Sequence, residues 1–281
     1  ALDEAGLDAG EVVTAEDGEL TLEARPADGQ TDEQALAAAL ELPGVTDAQL
    51  NYVYQIIEPV DEAAPASDGI SPQAQTLREA IRANDPYAQV SNPDESPNQY
   101  WLYNTDLVGA WDIARSNKVV TIALFDSGVT LDHPDLAGNL ISAYAWDSYY
   151  ERPLSETKME TGTTDNGGHG TMVAGVLSAV ANNEVGMAGS SYNAKILPVK
   201  VVNDSNGNTN TGALARAYAY LLDLIGENKA SNVRVVNMSL GGYGDTFADD
   251  DLLHDMIVKA TQRAPASSPC APAATARTAS P

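Results

Sequence analysis

Apolar positions fall into three regimes along the chain. Between residues 11 and 57 they come in short groups. Val12 and Val13, then Leu20 and Leu22, suit strands, and Ala35 to Leu42 suits a helix opened by the capping box Thr31-Asp32-Glu33-Gln34. Pro43-Gly44 stops that helix, and Leu50, Tyr52 and Tyr54 share one face of a strand expected over Val45 to Ile57. From Glu58 to Ala74 the chain turns to Pro, Ala, Asp, Glu and Ser, which bury too little apolar surface to order themselves; this is a linker. A short helical segment follows at Gln75 to Ala83. An irregular stretch from Asn84 to Trp101 then reads as an arm laid over a larger unit by its aromatic residues. Beyond it the runs lengthen. Strands are expected over Val119 to Phe125, Ala194 to Val201 and Val233 to Met238, between helices over Asp106 to Arg115, His169 to Val180, Thr211 to Ile225 and Asp249 to Gln262. Strands that are apolar throughout, alternating with helices, are buried on both faces. The expected fold is therefore α/β, a parallel sheet covered by helices on both faces, preceded by a small α+β unit.

In such a sheet functional residues gather where strands end. Asp126 ends the first long strand and Ser239 follows the last. His169 stands in Asp165-Asn166-Gly167-Gly168-His169-Gly170-Thr171, between glycines that let backbone approach it and at a helix start. An Asp and a His so placed can form the orienting half of a catalytic triad. The other histidines have plainer readings, His133 as a turn residue before Pro134 and His254 as solvated helix surface. Tyr218 and Tyr220 read as packing residues, and Asp249-Asp250-Asp251 complements a helix dipole.

Charge narrows the partners. With 40 acidic against 15 basic residues the formal net charge is −25, which excludes a phosphate-backbone partner and disfavours acidic membrane surfaces. No apolar run reaches membrane-spanning length, so no membrane span is expected. The single cysteine, Cys270, forms no internal disulfide. The chain opens at Ala1 without a charged-then-apolar leader, so a signal peptide is absent from it.

Three blocks resemble the subtilisin-like serine proteases: Asp126-Ser127-Gly128 with His133-Pro134-Asp135-Leu136; His169-Gly170-Thr171-Met172-Val173-Ala174-Gly175; and Asn237-Met238-Ser239-Leu240-Gly241-Gly242. The resemblance implies peptide-bond hydrolysis by an Asp-His-Ser triad, with His169 as general base and Asp126 fixing its tautomer. It implies that Ser239, Leu240 and Gly241 pair with the backbone of a polypeptide substrate, with the opposite edge near Gly207 to Gly212. Residues 1–57 resemble part of the family's inhibitory propeptide, 58–74 its linker, and 75–263 the first half of the catalytic domain, making the propeptide segment an internal partner. A structural calcium is implied at Asp85, Asp135, the Asn183 amide oxygen and the carbonyls of Val180, Val185 and Met187, as in thermitase-like members, an all-oxygen set suited to a hard cation. Secretion or cell-surface placement follows from the family.

Two departures shape the expectation. Met172 stands where the family usually has a second His. The family's Gly-Thr-Ser-Met-Ala block is missing, and residues 264–281 form an Ala/Pro/Ser/Thr tail, expected to be disordered, where a further strand was due. The chain is thus expected to be C-terminally truncated by a frameshift or incomplete gene model, to lack the nucleophilic serine and oxyanion Asn, and to be inactive alone. The rival readings are a peptide-binding or regulatory module that holds a peptide without cleaving it, and a metalloenzyme, for which three histidines without a His-x-x-x-His pair supply few ligands.

Overall fold

The structure, a computed structural model, describes residues 2, 6–16, 19–56, 83–89, 98–116, 120–157, 164, 165, 167–230, 232–241, 250–263, 274 and 275. The expected linker, most of the helix at Gln75 to Ala83, Gly242, Asp249 and most of the tail lie outside these residues.

Strands β1 (Leu7–Glu16) and β2 (Glu19–Pro26) form an antiparallel ribbon. Both run longer than their apolar residues suggested, because register shifts between Ala9 and Thr14 break the alternation that marks a strand. Helix α1 (Asp32–Leu40) opens with the expected box: Thr31 Oγ1 accepts from Gln34 N–H, and the Gln34 side chain accepts from Thr31 N–H. The strand expected over Val45 to Ile57 contracts to β3 (Val53–Ile56). The residues before it cap a helix instead of pairing: Asn51 Oδ1 and Tyr52 O accept from the backbone of Gly212 and Thr211.

The helix expected over Asp106 to Arg115 is α3 (Leu107–Ile113); a further short helix, α2 (Tyr100–Asn104), precedes it where the arm was expected to end, and Asp106 between them, with φ 54°, keeps the two apart. Of the aromatics of the arm before it, Trp101 packs partly buried against the cluster that holds Ala88, Trp111 and Ala188. Tyr87 and Tyr100 are exposed, while Gln99 is buried and its amide pairs both ways with the backbone of Ala188.

In chain order there follow β4 (Thr121–Asp126), β5 (Trp146–Asp147), β6 (Arg152–Pro153), helix α4 (His169–Ser178), β7 (Lys195–Lys200), β8 (Asn208–Asn210), helix α5 (Thr211–Gly226), β9 (Val233–Met238), β10 (Leu240–Gly241), helix α6 (Asp251–Arg263) and β11 (Ala274–Thr275). Six strands lie in the order β11-β9-β4-β7-β5-β6, all parallel to their neighbours except β6. All of β4 is buried, and its side chains alternate between two cores. Ala123 and Phe125 pack with α5 and α6, and Leu124 packs with α4. That two-sided burial is why the strand reads as one apolar run.

One expectation fails here. The tail, expected to be disordered, adds Ala274–Thr275 parallel to Val236 and Asn237 of β9. Parallel pairing uses backbone groups that every residue except proline carries in full, so two residues join an edge without branched side chains. Among the described residues no helix is long and apolar enough to cross a membrane.

Candidate active site

Asp126 and His169 meet as their positions implied. Asp126 ends β4 with 1% of its surface exposed, and His169, also buried, is the first residue of α4. His169 Nδ1 lies 2.7 Å from Asp126 Oδ1, and the same oxygen accepts from Ser127 N–H at 2.7 Å. A carboxylate at Nδ1 holds the ring proton there and leaves Nε2 free of that proton, the tautomer a general base requires.

A second carboxylate, to which the sequence reading gave no role, fixes the loop around this pair. Ser127 Oγ donates to Asp165 Oδ1 at 2.5 Å and accepts from Gly170 N–H at 2.9 Å. Asp165 Oδ2 accepts from Thr171 N–H at 2.8 Å and from the Thr171 hydroxyl. Burial pushes the Asp165 carboxyl above its ordinary range, opposed by the hydrogen bonds from Ser127 and Thr171. The end of β4 and the first turn of α4 are thereby tied together. Two glycines permit this approach. Gly128 has φ 118°, and a Cβ there would lie 2.2 Å from Thr164 O; one on Gly170 would lie 2.0 Å from Gly128 O. The sequence carried a signal for Asp165, since it opens the glycine loop four residues before His169.

Beside this pair a separate three-stranded sheet runs β10-β3-β8, both pairings antiparallel. Leu240 and Gly241 oppose Ile56 and Gln55, and Asn208, Thr209 and Asn210 oppose Gln55, Tyr54 and Val53. Ser239 links β9 to β10 and its hydroxyl accepts from the Asn237 amide. Because Met238 pairs with Phe125, this link leaves the sheet at the same end as Asp126. The strand between β10 and β8 is the chain's own residues 53–56. The ribbon that precedes it is fastened to α5, where Arg216 Nη1 lies 3.3 Å from Glu23 and 3.8 Å from Glu11.

Two of the expected cation ligands, Asp85 and Asp135, are hydrogen-bonded to the loop at 180–187. Asp85 is buried and accepts from the backbone N–H of Asn182 and Asn183. Asp135, also buried, accepts from the Asn183 amide and from Met187 N–H, and its own carbonyl accepts from Val180 N–H. Asn183 Oδ1 accepts from Val185 N–H. Burial raises the Asp135 carboxyl, and the neighbouring Asp85 charge adds to the shift. Among the described residues no group of three or more His, Cys, Asp or Glu side chains could hold a metal, so an ion here would need the amide and carbonyl oxygens as well. Two neighbouring buried carboxylates suit a hard cation, but here loop N–H groups bind both, and Asn183 faces Asp135 with its NH2 group while its oxygen turns to Val185. Met172, in the place of the second His, is half exposed on α4.

Comparison with known proteins gives this geometry a context. The model of the subtilase family (Peptidase_S8) matches residues 117–276, more than half of the chain. Thermitase of Thermoactinomyces vulgaris is 36% identical over 160 residues, which cover 57% of this chain and 48% of thermitase. An extracellular protease of Xanthomonas campestris is 30% identical over 207 residues, covering 61% of this chain and 35% of that protein. The crystal structure of fervidolysin from Fervidobacterium pennivorans, a keratinolytic enzyme related to subtilisin, superposes with a TM-score of 0.57 at 19% identity, covering 91% of this chain and 36% of fervidolysin. The chain spans about half or less of the length of these relatives.

Proposed function

Since the chain belongs to the subtilase family of serine proteases, we propose that it carries the base half of a peptide-hydrolysing site and the groove that presents the polypeptide to it. His169 Nε2 takes the proton of a serine hydroxyl as that oxygen attacks the scissile carbonyl, and returns it to the leaving amine. Asp126 holds the ring and stabilises the imidazolium formed between these steps. The observation that supports this reading most is the insertion of β3 between β8 and β10, at the sheet end where Asp126 and His169 meet. An extended segment satisfied by backbone pairing on both sides is how a protease holds a peptide of varied sequence. Residues 53–56 occupy the groove as an internal inhibitory strand, with the ribbon of β1 and β2 as its anchor on α5.

Asp85, Asp135, Asn183 and the carbonyls of Val180, Val185 and Met187 would hold a calcium ion, which supplies fixed positive charge between two buried carboxylates and pins the loop to Asp85. Its part is structural. Action outside the cell fits relatives described as extracellular proteases.

A second reading is favoured by one sequence observation, that no Gly-Thr-Ser-Met-Ala block occurs in the 281 residues. In it the chain binds polypeptide without cleaving it. A fluorophosphonate probe separates the two, because it labels only an activated serine. Labelling that disappears in His169→Ala, together with a loss of peptide hydrolysis on the order of 10^4-fold in Asp126→Asn, supports hydrolysis by this chain. Absence of label with a filled groove supports the binding reading.

A further inference from the structure

Resting on the reading of the groove above, we infer that Asp250 is a specificity-determining residue, selecting a tyrosine in the bound segment through its phenolic hydroxyl. Of the residues along β3, Val53 and Gln55 point to solvent while Tyr54 is buried to 4% exposure. Tyr52 and Ile56, on the same face, pack partly buried against the same core, and Tyr54 between them is the most buried of the three. Tyr54 hydroxyl donates to Asp250 Oδ2 at 2.7 Å, and Asp250 is itself 1% exposed.

The rest of the carboxylate is already bound by the groove and its occupant. Oδ2 also accepts from the Thr211 hydroxyl at 2.6 Å, and Oδ1 accepts from Leu253 N–H at 3.0 Å and from the Gln49 amide at 2.9 Å. Thr211 and Leu253 belong to the first turns of α5 and α6, whereas Gln49 and Tyr54 belong to the inserted segment. Each of these donors is neutral, so the buried charge depends on the hydrogen-bond set being complete. A phenylalanine in place of Tyr54 fills the same space and leaves the carboxylate one donor short. Shape alone does not discriminate the two rings; the unsatisfied carboxylate does. The ligand class is an extended polypeptide with tyrosine at this position, which residues 49–56 present from within the chain.

The inserted strand serves as its own ligand, so the selectivity can be read on the intact chain by amide hydrogen exchange. Exchange at residues 53–56 is compared between the parent, Tyr54→Phe, Asp250→Asn and the double variant, with amides of β4 and β7 as the control for an intact fold. Tyr54→Phe should speed exchange of β3 about tenfold or more, the order expected for a hydrogen bond to a buried charge. With Asn at 250, Tyr and Phe at 54 should exchange nearly alike. Equal rates in the parent and Tyr54→Phe, with β3 still protected in both, overturn the selectivity and leave the groove reading standing. Unprotected β3 amides in the parent overturn the groove reading and the inference together. Loss of β4 and β7 protection in Tyr54→Phe transfers the comparison to Asp250→Asn, where unchanged β3 exchange counts against the inference.

Discussion

Ser127 holds two partners at once, giving its proton to Asp165 and receiving that of Gly170 N–H. Ser127→Ala strands a buried carboxylate oxygen and a buried amide together, so chemical denaturation should show a loss of about 1–3 kcal/mol. A loss within experimental error would mean that water replaces the hydroxyl at no cost. Gly128→Ala should be worse, about 3 kcal/mol or more, since it meets both a positive φ and the Thr164 carbonyl. At this scale the sequence was informative where local rules sufficed. Asp126 sat at a strand end and His169 among glycines, and the structure joins them. The tie between Ser127 and Asp165 spans 38 positions and forms only when the loop closes on β4, so the spacing of residues could not display it.

Elements were legible in proportion to how much apolar surface they bury. Strand β4 and helix α5, whose side chains are largely buried, fall close to their expected bounds. The short strands β8 and β10 left no periodic signal of their own, and their neighbourhood was reached through the family resemblance. In the arm the aromatic residues told part of the contact, since Trp101 packs inward; the rest is made by an amide, for Gln99 supplies a donor and an acceptor to one buried backbone unit, which no ring can do. The loop at 180–187 gives a prediction of its own. If calcium binds there, millimolar calcium should raise the melting temperature of the parent, since a ligand bound only by the folded state stabilises it by about 2.7 kcal/mol at a hundred times its dissociation constant. Asp85→Asn should abolish the increment. A melting temperature indifferent to both calcium and chelator would remove the ion from the account.

For the molecule as a whole, charge and buried phenols set the limits of stability. A net charge of −25 repels itself in the folded state, and moderate sodium chloride should raise the melting temperature by screening it. Burial raises the phenols of Tyr54, Tyr103, Tyr150, Tyr218 and Tyr220 above their ordinary value. Above about pH 10 the unfolded chain releases these protons while the folded chain keeps them, so stability falls as pH rises through that range. Tyr218, fully buried against Phe125, contributes to this, and Tyr218→Phe should flatten the alkaline limb of a denaturation series. An alkaline limb identical to the parent's would assign the loss elsewhere. The parallel sheet with helices on both faces was legible as a whole because each strand's burial is recorded in its own residues. The second sheet was not, because it forms between segments some 150 residues apart or more.

A disulfide trap tests the presence of β3 in that second sheet most directly. Gln55 and Asn208 face each other across the antiparallel pair of β3 and β8, at a separation that cysteines can bridge. In a Cys270→Ser background, Gln55→Cys with Asn208→Cys should close readily under mild oxidation, seen as a linked peptide pair by mass spectrometry. Failure of this pair to close, while a control pair at Ala15 and Leu20 across β1 and β2 closes under the same conditions, would contradict the placement of β3 in the groove.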